Sequence, residues 1–489
     1  MAMSEELLTN LYEFSMANGY YATLPHDQEA VFDIFYRNVP DNGSFVIAAG
    51  LAQVVEALQN FHFTDDDISY LRSLNLFSTG FLDYLANLKF SCTVRAIPEG
   101  TPVFPREPML TVKGPLLQCQ LLETFVLNIL NHQSLIATKS RRICAAAEGR
   151  AVMEFGARRA QGPDASVFGA RAAVIGGCTS TSNCLAAKKF GLQAAGTMAH
   201  SWIESYPDEL TAFRAWAQVY PDSASLLVDT YDVLKSGVPN AIKVFRELRA
   251  AGHEPIGIRI DSGDLTQLAT KARQMLDEAG FENAKITASN ALDETVIQAL
   301  LKEGAPLDNF GIGEKLITSS TSPVLSGVYK MAALKVDGQW QPKIKLSNSR
   351  EKVTLPGDKM VYRLYRKDAP DQAFADVIAL ADEKLPEKLL AINADPLATD
   401  DEIELTDFVA KPLQLEVVGA NASSIETDVM KLQASMKHQL AQLPKATQRL
   451  INPDVYQAYL TPKLFELQQR LIKSIIKRLR LKNEPVEKS

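Results

Sequence analysis

The run EPIGIRIDSGD, residues 254–264, decides the fold. A mostly apolar stretch, Ile256 to Ile260, interrupted only by Arg259, ends abruptly in two acids, a serine and a glycine. Such runs mark strands covered on both faces, with polar residues where the strand leaves the core. The same form recurs in KITASN (285–290) and DNFGIGEKL (308–316) on one side. On the other it recurs in SLLVDTYD (225–232), LQAAGTMAHSW (192–202) and AVMEFGARR (151–159), with helical stretches between. The landmarks His200, Asp229, Asp261, Asn290 and Gly311 fall about 20–30 residues apart, the length of a βα unit. A closed βα barrel and an open doubly wound sheet both fit. Polar residues at the ends of several strands favour the barrel, which gathers its strand ends into one site, whereas an open sheet offers a crevice at one switch point. Six strands are expected, so the barrel can be incomplete.

Outward from this core the pattern changes. Residues 1–134 mix signals: helical spacing over Leu7 to Tyr21, strand alternation in AVFDIFYR (30–37), and a β-rich, proline-marked stretch from Phe90 to Val112. After residue 350 prolines and acids punctuate 354–410, and a long helical pattern follows from about Ser424. The expectation is three regions: an N-terminal α/β domain (1–134), a βα barrel (135–350) and a C-terminal extension with long helices (351–489).

Composition narrows the class. The 489 residues fit about three domains. With 46% hydrophobic and 22% charged residues the chain is neither disordered nor fibrous. A net charge of −7 argues against a general nucleic-acid surface. The five cysteines form no CxxC pair, which disfavours a zinc site or disulfide framework and suits a reducing cytoplasm. MAMSEELLTN lacks the basic and apolar regions of a secretory leader. The most apolar stretch, Leu121 to Leu130, is short and contains Glu123 and Asn128, so no membrane span is expected. The basic helix at 464–482 reads as an amphipathic helix packed on the body rather than a nucleic-acid arm, and its basic end suits the helix dipole.

Several strand ends carry chemistry. His200 sits among small residues in GTMAHSW. Arg158 and Arg159 follow the 151 strand, and guanidinium forks suit phosphate or carboxylate. The turn Ile175–Asn183, running into CLAAKKFG, can cradle phosphate or simply cap its helix. Asp261, Ser262 and Asp264 can hold ribose hydroxyls or hydrated Mg²⁺. The Gly311-Ile312-Gly313 turn lets backbone approach phosphate. No P-loop, HExxH or GxSxG is present. A phosphorylated sugar and a small anion suit this set.

Together these motifs resemble the nicotinate phosphoribosyltransferase family, which are type II phosphoribosyltransferases. The resemblance runs from LLTNLYEFSMANGY (7–20) to GVYKM (327–331). It is densest in FGARRAQGPD (155–164), GGCTSTSNCLAAKKFG (176–191), GTMAHSW (196–202), LLVDTYDVLKSGVPNA (226–241), IRIDSGDL (258–265) and SNALDE (289–294). It implies an irregular βα barrel behind an N-terminal α/β domain. It also implies that nicotinate and phosphoribosyl pyrophosphate are joined to give nicotinate mononucleotide and pyrophosphate in NAD salvage. ATP, with Mg²⁺, would be coupled through a phosphohistidine matching His200. Thr197 and Arg259 match positions that contact nicotinate. Tyr12 matches a tyrosine supplied across a homodimer interface. Arg158, Asp261, Asn290 and Gly313, with Gly311 in the same turn, match the region around phosphoribosyl pyrophosphate.

The chain departs from the family pattern at three places. Asn10 stands in TNLY where relatives usually have Asp. Glu314 follows the GxG turn where relatives often have Thr. Ser180 stands about where nicotinamide-specific relatives carry Asp, and a neutral hydroxyl favours the acid as substrate. The alternatives weighed are a nicotinamide-specific enzyme and a non-catalytic phosphosugar sensor on the same barrel.

Overall fold

The run at 254–264 folds as expected, into a strand over Gly257–Ile260 followed at once by the helix Leu265–Glu278. Asp264 makes that switch: its side chain accepts from the Gln267 N–H at 3.0 Å and caps the helix. Thus one of the two acids in DSGD serves the fold. The same device recurs at Asp293, which caps Glu294–Lys302, and at Asn183, which caps Cys184–Phe190.

In this computed structural model, residues 5–347, 352–395 and 402–482 are described. The start of the N-terminal reading (1–4) and the end of the C-terminal extension (483–489) lie outside the described residues. The chain forms two compact units: Leu135–Pro323 with Asp428–Gln433, and the remainder.

The 135–323 unit holds a six-stranded parallel sheet. Its order is Ser180–Thr181, Ala151–Glu154, Asn309–Ile312, Lys285–Ser289, Gly257–Ile260, Ser225–Leu227. Five of the six expected runs form these strands. The sixth, LQAAGTMAHSW, does not: only Ala194 touches the sheet, as an isolated bridge to Thr181, and His200 opens a short helix, His200–Glu204. The sixth strand is instead Ser180–Thr181, inside the glycine and hydroxyl turn. Among the described residues no pairing joins the two edge strands, so the sheet is a half-barrel. The α/β expectation holds, without closure. Its helices cover apolar side chains such as Ala170, Phe213, Phe245 and Ile297, all fully buried.

The other unit holds two six-stranded sheets. One contains the expected strand, Glu29–Phe35, flanked by Leu110–Pro115 and Val328–Val336. That strand is buried on both faces rather than alternating, and its buried acid, Asp33, is paired inside with Lys359 at 2.7 Å. The second sheet is built largely from 359–412, with Lys359–Arg366 and Ala373–Leu380 as its main pair. The extension after residue 350 is therefore strand-rich before it becomes helical. Its two long helices are Val429–Gln442 and Pro462–Lys482. The latter seats Leu464 in a small core with Ile378 and Leu460. Among the described residues no helix is long and apolar enough to cross a membrane.

Candidate active site

In a parallel sheet every strand ends on the same edge, and ligands bind there. That edge collects Phe155–Arg159, Asp229, Asp261, Asn290 and Gly313 from five adjacent strands.

Asp229 organises one side. Its carboxylate is almost fully buried. One oxygen lies 3.2 Å from His200 Nε2. The other accepts from the Asp261 backbone N–H at 2.9 Å and from the Ser262 hydroxyl at 2.6 Å. A carboxylate partner fixes Nε2 as the protonated nitrogen and leaves the Nδ1 lone pair available. The imidazole is 41% exposed, so Nδ1 can meet a ligand. His200 and the Asp261–Ser262 turn thus share one buried anion.

Arg259 organises the middle. Its Nε donates to Ser289 Oγ at 2.8 Å and its Nη2 to Asp261 at 3.0 Å, while Ser289 also donates to Asp261. The guanidinium lies 5.6 Å from the Phe155 ring centroid. Gly311 makes room for that ring: a Cβ there would sit 2.6 Å from it. A cation and an aromatic face therefore meet at the sheet edge.

The other expected residues fall at varied distances from this centre. Ser180 is buried in the edge strand. The Thr197 hydroxyl is buried with no hydrogen-bond partner among the described residues. Asn290 is exposed, with a φ of 90°, and Ala291 follows at 42°. Positive φ in non-glycine residues is costly and clusters at functional sites. Glu314 is exposed and turns toward Arg159 at 3.6 Å. This pairs the carboxylate beside the Gly313 turn with a cation, while Arg158 is exposed. The 176–183 turn acts as a helix cap, with Asn183 Oδ1 accepting from Leu185 and Ala186 N–H groups, both at 3.1 Å.

Tyr12 belongs to the other unit, in the first turn of the helix Leu11–Thr23, and is exposed. Burial of its base, then the charges of Glu123 and Glu13, raise its phenol pKa. Asn10 before it donates to Thr124 Oγ1 at 2.7 Å, and that hydroxyl donates on to Glu13. An Asp at position 10 would set two carboxylates on one hydroxyl, so the amide fits this departure.

Two residues of the site were not singled out by sequence. Asp229 was only a spacing landmark, and Phe155 only part of a motif.

Comparison with known proteins places the chain in a family. Family models match in three stretches: the nicotinate phosphoribosyltransferase N-terminal domain over residues 7–131, the nicotinate phosphoribosyltransferase family over 150–371, and the C-terminal domain over 358–468. A nicotinate phosphoribosyltransferase of Bacillus subtilis is 40% identical over 93% of this chain and 92% of its own. The Homo sapiens protein of that name is 32% identical over 97% of both chains. The crystal structure of human nicotinic acid phosphoribosyltransferase superposes with a TM-score of 0.83, covering 95% of this chain and 99% of that one, at 31% identity. A nicotinate-nucleotide pyrophosphorylase structure from Pyrococcus furiosus shares the fold at 22% identity, with a TM-score of 0.68, over 90% and 96% of the two chains. The chain belongs to the nicotinate phosphoribosyltransferase family.

Proposed function

We propose that this chain joins nicotinate to phosphoribosyl pyrophosphate, releasing nicotinate mononucleotide and pyrophosphate, in NAD salvage in the cytoplasm, and that ATP hydrolysis is coupled through phosphorylated His200. The half-barrel sheet is, in this reading, the core of the family's irregular βα barrel. The observation that carries the coupling is the shared carboxylate of Asp229, which holds both His200 and the Asp261–Ser262 turn.

The transition state is oxocarbenium-like, so catalysis means placing the ring nitrogen at ribose C1 and holding the leaving pyrophosphate. Arg259 pairs with the nicotinate carboxylate and Phe155 offers its face to the pyridine ring. Thr197, whose buried hydroxyl has no partner among the described residues, bonds the same substrate. Ser180 presents no charge to repel the acid. Asp261 and Asn290 receive the ribose, while Arg158 and the Gly311–Gly313 backbone face the phosphates. A phosphoryl group on Nδ1 of His200 adds about two negative charges next to the turn that Asp229 holds, and so shifts affinity there.

Mg²⁺ would neutralise pyrophosphate charge. Among the described residues no group of three or more His, Cys, Asp or Glu is placed to hold a metal. The ion is therefore read as arriving on the substrate, and no step is assigned to it. A homodimer is supported by the outer face of the Leu11–Thr23 helix, where Leu11, Tyr12 and Met16 stay exposed together with nearby Leu8.

The test is to incubate purified protein with nicotinate, phosphoribosyl pyrophosphate and Mg²⁺, with and without ATP, and quantify nicotinate mononucleotide. Product that rises with ATP, and a His200→Ala variant with neither ATP stimulation nor phosphoenzyme, is the expected result. Full ATP stimulation in that variant would remove the role of His200. Preference for nicotinamide would overturn the reading of Ser180. Tight binding without turnover would revive the sensor.

A further inference from the structure

We infer that Glu154 is a positioning residue that ties the Phe155–Arg159 turn to the Ser180–Thr181 strand and thereby sets affinity for the pyridine acid. The inference rests on the nicotinate reading above.

Glu154 occupies a place where a buried strand ordinarily puts an apolar residue. Val152 and Glu154 share the inward face, and the carboxylate is fully buried. No cation pairs with it among the described residues; burial raises its pKa, and only hydrogen bonds oppose that. A buried carboxylate without a cation is costly, so its hydrogen bonds should matter.

Those bonds go to the two substrate-facing segments. One oxygen accepts from the Gly156 N–H, inside the turn that carries Phe155 and Arg158. The other accepts from the Thr181 hydroxyl at 2.6 Å. Thr181 Oγ1 accepts in turn from the Asn183 N–H at 3.0 Å, and the Asn183 amide donates to Ser166 Oγ at 2.8 Å. One carboxylate therefore starts a chain of bonds that crosses from the turn to the next helix cap. Gly156 has no slack on this side, since a Cβ there would lie 2.9 Å from the Glu154 carboxylate and 2.5 Å from Ile317.

The tie adds a side-chain link to a short backbone ladder. Ser180–Thr181 is a two-residue strand paired with 153–154, flanked by bonds from the Thr179 N–H to the Val152 carbonyl at 2.8 Å and from the Ser182 N–H to the Glu154 carbonyl at 2.9 Å. On its other side Thr181 exchanges two backbone bonds with 193–195, at 3.1 and 2.9 Å. Ser180 sits on that strand, and Phe155 lies directly after Glu154. Fixing the two segments fixes how far the neutral hydroxyl stands from the aromatic face.

The experiment compares steady-state kinetics of Glu154→Gln, Thr181→Val and the double variant with wild type. Glu154→Gln keeps the volume and removes one of two acceptors. Losing a hydrogen bond to a charged group is worth about tenfold in binding. Nicotinate KM is expected to rise about tenfold in each single variant. The KM for phosphoribosyl pyrophosphate and kcat should stay within about threefold. The double variant should be no worse than the poorer single, because both remove one link. Should Glu154→Gln fail to fold, Thr181→Val breaks the same bond from the other end. An unchanged nicotinate KM, or equal rises for both substrates with a lowered melting temperature, would overturn the inference. Wild-type protein that makes no nicotinate mononucleotide would instead overturn the reading on which it rests.

Discussion

Glu107 is a fully buried carboxyl in the unit outside the half-barrel. One oxygen accepts from the Phe104 N–H at 2.9 Å, and the carboxyl faces Asp376. Burial first, then the negative charge of Asp376, push its pKa well above the carboxylate range. The groups facing it are the Arg363–Asp376 pair, joined by bonds of 2.9 and 2.7 Å, and the phenols Tyr36 and Tyr456, both pushed up by burial. A carboxyl with a higher pKa folded than unfolded binds its proton more tightly in the folded state. Its stabilising effect is full below the unfolded pKa and falls as pH rises through the folded one. Glu107→Gln keeps the shape and the Phe104 acceptor and removes the titration. Its melting temperature relative to wild type should climb as pH rises above the ordinary carboxylate range. A difference that stays flat or falls would refute a raised pKa. Such residues are hard to read in sequence: Glu107, Glu154 and Asp229 look like surface acids until the fold buries them. His200 stood out because small residues flank it and Arg259 came only through the family resemblance, whereas Asp264, grouped with Asp261 as a ligand, caps a helix.

At the scale of elements, close approaches decide what a motif tolerates. Gly176 ends the helix Pro163–Ile175 where it meets the helix Glu123–Ala146 at Ala137 and Ser140. A Cβ there would lie 2.2 Å from the Ala137 carbonyl oxygen and 2.6 Å from Ser140 Cβ, and Ser140 already donates to Ala173 at 2.6 Å. Backbone cannot yield as a flexible side chain can. Gly176→Ala should therefore destabilise the protein by about 1–3 kcal/mol or more, seen as a lower urea midpoint at unchanged slope. An unchanged midpoint would mean the two helices can separate at no cost. The same scale explains which strands were legible. Long apolar runs such as SLLV and KITAS announce themselves, because both faces of the sheet are covered. Ser180–Thr181 is too short to show a period, and its hydroxyls read as a turn. LQAAGTMAHSW is apolar enough to look like a strand, yet past Ala194 it runs as irregular chain into the His200 helix. The 359–412 strands were hidden by prolines and acids that mark their turns.

At the scale of the whole molecule, sequence and family agree on the chain, while the homodimer is a proposal with a sharp consequence. If Tyr12 acts in the neighbouring subunit's site, then Tyr12 and Arg259 of one chain never serve the same site. Tyr12→Ala damages the partner's site and Arg259→Ala damages its own. Each variant alone should then be nearly inactive. When the two are unfolded together and refolded in equal amounts, half of the dimers are mixed, and each mixed dimer keeps one intact site of two. About a quarter of wild-type turnover should return, as symmetry and random pairing require. If Tyr12 instead serves its own chain, every site in the mixture lacks one residue, and turnover stays at the level of the separate variants. Size-exclusion chromatography of Leu11→Asp, which places a charge on the exposed face beside Tyr12, supplies the independent check. A monomer that has lost turnover agrees with recovery on mixing, whereas a fully active monomer together with no recovery would rule out shared sites.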